Sequence, residues 1–337
     1  MTKARTNASA SPAVGRNMVI NGGMNISQRA VSVTGLGAAA GYFTCDRWKT
    51  SFTSTAGRLT MSQTADGPNG ISANCLKLDC TTADTSIAAG EQVLIQHKIE
   101  GQNVQRIGKG VAGAKQITVS FYVKASAVFT FGVELFDLDA ERQCTKLFST
   151  TTDWVRHEIT FPADVDDGSS PFDDNNAASL NLNFHLHAGT TFTGGTLNTA
   201  SFANNNNANR AVGIDSIFSN TANNFFLTGV QLEVGPVATE FEQEDFGVTK
   251  NKCLRYFTKI DGGKQTYYAF QYHSGHKFMI IQHPVEMRAT PSATLTFAGG
   301  SMTAYNLDRK HYKSYISSVP TDSTSHYISE GAWDAEL

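Results

Sequence analysis

The amino-acid sequence predicts an all-β fold: a jelly-roll β-sandwich over residues 17–245, a smaller β-rich C-terminal domain over 246–337, and a short N-terminal arm over 1–16. Three observations predict it. Short apolar runs with polar residues at alternate positions recur between turn signals from Asn17 to about Glu242. Charged residues are only 17% of the 337 residues while 29 are Gly, a balance that suits strands and turns better than exposed helices. Helical periodicity is confined to one stretch, FGVTKNKCLRYFTKI at 246–260.

The arm, MTKARTNASASPAVGR, is rich in small residues and has no periodicity, so it reads as a segment that orders only against a partner. MVI at 18–20 runs into the turn Asn-Gly-Gly. The expected strands then follow as RWKTSF, GRLTMSQT, CLKLDCT, EQVLIQHKI, QITVSFYVKAS, FTFGVELFDLD, WVRHEITFP, SLNLNFHLHAG and NFFLTGVQLEV. In SLNLNFHLHAG, Leu180, Leu182, Phe184 and Leu186 share one parity and are expected in the core. Asn181, Asn183, His185 and His187 share the other and are expected to be wet.

In LTGVQLEV the same rule puts Val230, Leu232 and Val234 inward, and Leu227, Gly229, Gln231 and Glu233 outward. Gly235-Pro236 ends that strand because Pro cannot donate to the ladder. Segments 163–178 and 189–223, the second with Asn at 204–207, are too polar for strands and read as long surface loops. In the helical stretch Val248, Cys253, Leu254 and Phe257 form the expected buried stripe. QTYYAFQYHSGHKFMIIQHPVEMRATPSATLTF adds two or three further strands.

Composition also excludes function classes. The net charge of -3 offers no positive field for a phosphate backbone, so nucleic acid is not an expected partner. No apolar h-region follows the basic N-terminus and no window has the length of a membrane span, so synthesis in the cytoplasm without membrane insertion is expected. Cys45, Cys75, Cys80, Cys144 and Cys253 lack C-x-x-C spacing and are expected as small buried hydrophobes.

No motif of a hydrolase nucleophile, a phosphate loop or a zinc protease is present, and the chain is not expected to be an enzyme. Asp137, Asp139, Asp166, Asp167, Asp173 and Asp174 supply carboxylates, but no spacing fixes a glycosidase pair. His185 and His187 have the i, i+2 spacing some metal sites use, without a third ligand that the sequence identifies. Trp48 and Trp154 are expected as core, with Asp46 and Arg47 closing the sandwich edge by charge-assisted bonds.

Seven stretches together carry a resemblance: RNMVINGGMNISQRA, DRW at 46–48, ITVSFYVKAS, DWVRHEITF, LTGVQLEVGPVATEFE, CLRYF and PVEMRATPSATLT. In this order they resemble a family of tailed-bacteriophage virion proteins, tail fibre or receptor-binding proteins with a jelly roll of carbohydrate-binding-module type. The resemblance implies a virion location on the tail, a homotrimer, docking to other tail or virion proteins through the arm, and attachment to a host surface glycan or other receptor. Modules of this type can hold a structural calcium near the first and last strands, for which Asp46 and Glu233 are the candidates; no other cofactor is expected.

Aromatic and imidazole side chains at Tyr267, Tyr268, Tyr272, His273 and His276 are the candidates for receptor or glycan contact, since such rings stack on pyranose faces. The competing functional expectations are a non-enzymatic decorating or bracing component of the virion and, more remotely, a polysaccharide-degrading tail spike.

Overall fold

In the computed structural model, residues 15–165, 170–260, 267–268, 270–273, 276–298, 303–316 and 327–337 are described; for 267–268, 270–273, 276–278, 297–298, 303–306, 315–316 and 327 this covers the backbone only. The arm, apart from Gly15 and Arg16, lies outside the described residues.

The protein is an all-β jelly-roll sandwich followed by a smaller β-rich C-terminal part. Thirteen strands build the sandwich: β1 (Ser32–Leu36), β2 (Gly41–Tyr42), β3 (Trp48–Thr53), β4 (Arg58–Thr64), β5 (Cys75–Thr82), β6 (Gln92–Glu100), β7 (Ile117–Ala125), β8 (Thr130–Asp137), β9 (Arg142–Ser149), β10 (Val155–Phe161), β11 (Ala178–Ala188), β12 (Ala203–Asn204) and β13 (Asn224–Val234). They form a six-stranded sheet, β1-β4-β5-β13-β7-β10, and a seven-stranded sheet, β12-β9-β8-β11-β6-β3-β2, with antiparallel pairing throughout. Closure by two sheets buries one apolar parity of each strand. Leu180, Leu182, Phe184 and Leu186 meet Val119, Phe121 and Val123 in one continuous core.

Trp48 is fully buried and stacks edge-on against His97, as its core assignment requires. All five cysteines are buried and free. Burial pushes the Cys144 thiol up to about 11, so it remains a protonated apolar filler.

Three expectations change at the level of strands. The stretch Arg142–Ser149 forms β9, although its polar composition does not announce a strand. Its partner β8 supplies the pairing, which a single strand's pattern cannot report.

Leu227 points into the core beside Val230 and Leu232, against the expected outward position. A register shift between Thr228 and Gln231 inserts a bulge, with Gly229 at φ +59°, and the bulge switches the inward parity midway along β13. A Cβ on Gly229 would also sit 2.8 Å from Ile71 and from Tyr122. Gly229→Ala is therefore expected to destabilise the fold by about 1–3 kcal/mol, read as a lower urea midpoint. An unchanged midpoint would mean that the bulge does not need glycine.

Trp154 is only half-buried and lies outside the core, against expectation. It precedes β10 on the outer face of the six-stranded sheet, donating Nε1–H to the Asp66 carbonyl (3.0 Å) and packing edge-on against Phe226. Lys124 lies over both rings, and Lys77 lies over Phe226.

The C-terminal part begins with a helix, Phe246–Leu254. Asp245 caps it, accepting the Gly247 N–H at 2.8 Å and the Val248 N–H at 3.3 Å. Its buried residues are Thr249 and Cys253, while Val248 is 46% exposed, so the expected stripe is displaced.

Among the described residues eight strands follow: β14 (Phe257–Ile260), β15 (Tyr267–Tyr268), β16 (Phe270–His273), β17 (His276–Gln282), β18 (Ser292–Ala298), β19 (Thr303–Leu307), β20 (His311–Ile316) and β21 (Tyr327–Asp334). β21 is flanked by β14, β15 and β18, and a second sheet runs β16-β17-β20-β19. A separate small core of Ile260, Met279, Ile281, Met287, Tyr312 and Trp333 lies between them. No described helix is long and apolar enough to cross a membrane.

Candidate functional site

Five of the seven stretches that carry the resemblance meet in space where the arm's exit, the sandwich and the C-terminal part join. Residues 17–22 run along β13. Asn17 donates Nδ2–H to the Val230 carbonyl (3.1 Å) and accepts the Leu232 N–H on Oδ1 (3.0 Å), while the Met18 N–H donates to the Leu232 carbonyl (2.9 Å). The Asn-Gly-Gly turn is needed for close approach as well as for turning. A Cβ on Gly22 would lie 2.1 Å from the Val230 oxygen. Asn21 then donates to the carbonyls of Ile26 and Asp46, and its own carbonyl accepts the Trp48 indole N–H. Asn21, Met24 and Arg47 all have positive φ, so backbone strain gathers at this point.

Arg47 does not close the sandwich edge. Its fully buried guanidinium leaves the sandwich, stacks on Tyr256 at 3.5 Å, pairs with Glu336 and donates to the Lys98 carbonyl at 2.7 Å. Arg29 pairs with Asp334 and Glu336 beside it. Glu100, at the end of β6, receives Arg255 (2.7 Å) and the Tyr256 hydroxyl. Arg288 completes the clasp by donating to the carbonyls of Asn176 and Ala335. Burial alone would make the guanidinium easier to deprotonate, but Glu336, Tyr256 and Tyr42 together outweigh it and hold Arg47 charged. Burial raises Glu336 despite Arg47 and Arg29.

The exit of β13 closes the other side. Glu233 accepts the Thr239 N–H and hydroxyl (both 2.8 Å) and the Gln231 side chain, and Gln231 Oε1 accepts the Glu242 N–H. The polar parity of the strand is therefore dry: Gln231 is fully buried and Glu233 is 4% exposed, because residues 235–242 fold back over them. Glu242 in turn accepts the N–H groups of Gly15 (2.6 Å) and Asn17 (3.0 Å), receiving the chain as it leaves the arm. Two clefts flank this point. One, about 240 Å³, is lined by Asn21, Asn25, Ser72, Phe241, Gln243 and Lys252. The other, about 300 Å³, is lined by His97, Lys98, Asn103, Arg106, Arg255 and Tyr256.

A second polar cluster lies on the outer face of the seven-stranded sheet. Segment 189–223, expected as a surface loop, roofs this face, so Asn183, His185 and His187 are buried where they were expected to be wet. Glu134 lies at the centre. Arg210 of the roof grips it through Nε and Nη2, both at 2.7 Å, and Asn183 (2.7 Å) and His185 (3.1 Å) complete its shell. Burial opposes ionisation of Glu134, but Arg210 and His185 together hold its carboxyl well below the usual carboxylate range. The i, i+2 histidines thus serve different partners, since His187 turns to Glu91 and Ser216.

The calcium candidates are held by protein donors. Asp46 accepts the Gln28 backbone and side-chain N–H groups, and Glu233 accepts Thr239 and Gln231. Neither belongs to a cluster of three potential ligands among the described residues. Of the aspartates weighed as catalytic, Asp137 pairs with Lys109 and accepts the N–H groups of Asp139 and Ala140, and Asp139 accepts the Asp173 N–H. Asp166 and Asp167 lie outside the described residues.

Tyr267 and Tyr268 lie on β15 beside β21, and Tyr272, His273 and His276 lie on the β16–β17 hairpin, where His273 pairs with His276. The side chains of these five residues lie outside the described residues.

No protein-family model matches the sequence, and no curated protein matches it. Solved structures similar to the chain include a family 4 carbohydrate-binding module (TM-score 0.32, 10% identity, 64% of this chain and 99% of that one). A family 61 module in complex with β-1,4-galactotriose (0.31, 11%, 65% and 99%) is also similar. So is a tandem of family 22 modules from Paenibacillus barcinonensis Xyn10C (0.28, 11%, 93% and 92%). Likeness this distant carries nothing about a ligand.

Proposed function

We propose that the chain is a non-enzymatic virion protein of a tailed bacteriophage, a tail fibre or spike that attaches to a glycan on the host surface. The observation that carries this reading is the convergence of five of the family-like stretches on one junction. Asn17, Gly22, Arg47, Trp48, Glu242, Tyr256 and Arg288 are far apart in sequence, yet they fasten the arm's exit, the sandwich and the C-terminal sheets to one another. An attachment protein needs such a joint, because a docked arm and a receptor-binding surface must transmit load without bending.

Two surfaces are offered to the glycan: the strands bearing Tyr267, Tyr268, Tyr272, His273 and His276, and the half-buried row Lys77–Phe226–Lys124–Trp154 on the six-stranded sheet. The rings suit the apolar faces of pyranoses, while Lys77 and Lys124 are paired with Asp79 and Asp66. Threefold assembly would turn weak single contacts into avid attachment.

The test is binding of the purified full chain to an array of bacterial surface polysaccharides, with its mass measured by light scattering. Saturable binding by a trimer is expected. Trp154→Ala or Tyr272→Ala should weaken it at least tenfold, with the urea midpoint shifted by less than about 1 kcal/mol in equivalent stability. An array without binding overturns glycan attachment. Immunogold labelling of the capsid in place of the tail would move the chain to a decorating role.

A further inference from the structure

We infer that Asp84, Glu91 and His187 form a buried binding site for one divalent transition-metal ion, Zn²⁺ by its ligand chemistry, that pins the two sheets together at one end of the sandwich. Asp84 follows β5 of the six-stranded sheet, Glu91 precedes β6 of the seven-stranded sheet, and His187 lies near the end of β11. One ligand atom from each lies within 4.8 Å of the others, and the three residues are 5%, 4% and 0% exposed.

The charge at this point requires a cation or a proton. Among the described residues, neither carboxylate forms an ion pair with Lys or Arg; the recorded partner of Glu91 is His187, whose Nε2 is 3.0 Å from Oε2. Asp84 lies within hydrogen-bonding reach of Glu91. Two buried carboxylates in contact cannot both remain charged without a counter-ion. Asp84 Oδ2 accepts the N–H groups of Ala56 and Gly57 and the Thr55 hydroxyl, which fix the carboxylate in place. Its Oδ1 is left free of those donors.

His187 is oriented in the same sense. Its Nδ1 faces the Ser216 hydroxyl at 2.7 Å, and Phe218 packs edge-on against its ring. A proton on Nδ1 donated to Ser216 leaves the Nε2 lone pair directed at the carboxylates, which is the arrangement found around metal-bound imidazoles. One imidazole with two carboxylates favours zinc over calcium, which takes six to eight oxygens. A tetrahedral ion with ligands at about 2.0–2.2 Å needs donor atoms about 3.3 Å apart, close to the 3.0 Å between His187 Nε2 and Glu91 Oε2 and inside the 4.8 Å that bounds the triangle, and leaves a fourth position for water.

The test uses tag-free full chain, refolded with Zn²⁺ or Co²⁺ and then dialysed against metal-free buffer. One ion per chain by elemental analysis is expected, with visible d–d absorption of tetrahedral Co²⁺ and no thiolate charge-transfer band, since the cysteines take no part. His187→Asn and Glu91→Gln should each lower retention at least tenfold, and His185→Asn should leave it unchanged. Folding of each variant is checked by near-UV circular dichroism. Failure of the folded wild-type chain to retain either metal overturns the site. So does a thiolate band, or retention unaltered in folded His187→Asn and Glu91→Gln.

Discussion

Arg47→Met is expected to destabilise the folded chain by about 3–5 kcal/mol, the range for removing one partner of a buried ion pair. The guanidinium is fully buried and Glu336 nearly so, and the variant leaves that carboxylate in a dry junction with Arg29 as its remaining cationic partner. The Tyr256 face loses its cation in the same step. Buried Trp48 and Trp333 lie in the sandwich and C-terminal cores respectively, so urea unfolding followed by fluorescence reports both. The C-terminal transition is expected to separate and move to lower urea.

Acid should soften the effect. Glu336 already has a raised folded value, so its protonated form is favoured by folding, and lowering the pH supplies the proton that replaces the missing partner. Replacing both members, Arg47→Met with Glu336→Leu, should recover much of the loss because no charge is then stranded. A shift below about 1 kcal/mol for Arg47→Met alone would mean that the junction does not depend on this pair.

Glu134→Gln is the second large effect. It should cost about 3 kcal/mol, the lower end of the same range, because Arg210 is 12% exposed in its side chain and can turn toward water once released. The pH dependence follows from the depressed folded value. Stabilisation from Glu134 is complete above the unfolded carboxylate value of about 4.3 and is lost as pH falls toward the folded value. The wild-type chain should lose this increment in acid and the Gln variant should not. Hydrogen exchange supplies the structural readout: the Ala211 N–H, bonded to the Phe192 carbonyl within the roof, should exchange faster in Glu134→Gln. Unchanged protection would show that Arg210 and Glu134 do not latch the roof.

Several of the places where the sequence misleads share one source. In β11, and in β13 beyond the Gly229 bulge, alternation correctly separates apolar from polar residues, but it says nothing about what covers the polar side. Asn183 and His185 are dry because a segment beginning beyond the strand folds back over them, and Gln231 and Glu233 are dry because residues 235–242 do the same. Arg47 was legible as a charge beside Trp48. Its destination at Glu336, 289 residues away, was not. Trp154 carries the same chemistry as Trp48, yet it lies just before β10 on the outer face of the six-stranded sheet and remains half-exposed.

The sequence by itself determined the all-β class, the order of most sandwich strands, the apolar parity of β11 and the burial of Trp48 and the five cysteines. Each follows from local periodicity and side-chain chemistry, which the strand expresses wherever it packs. Only the tertiary structure decided the parity switch at Gly229, the roof over Glu134, the clasp around Arg47 and the meeting of Asp84, Glu91 and His187. These depend on loop closures that bring together groups up to 307 residues apart, and the desolvation that gives them their chemistry exists only once the covering segments are in place.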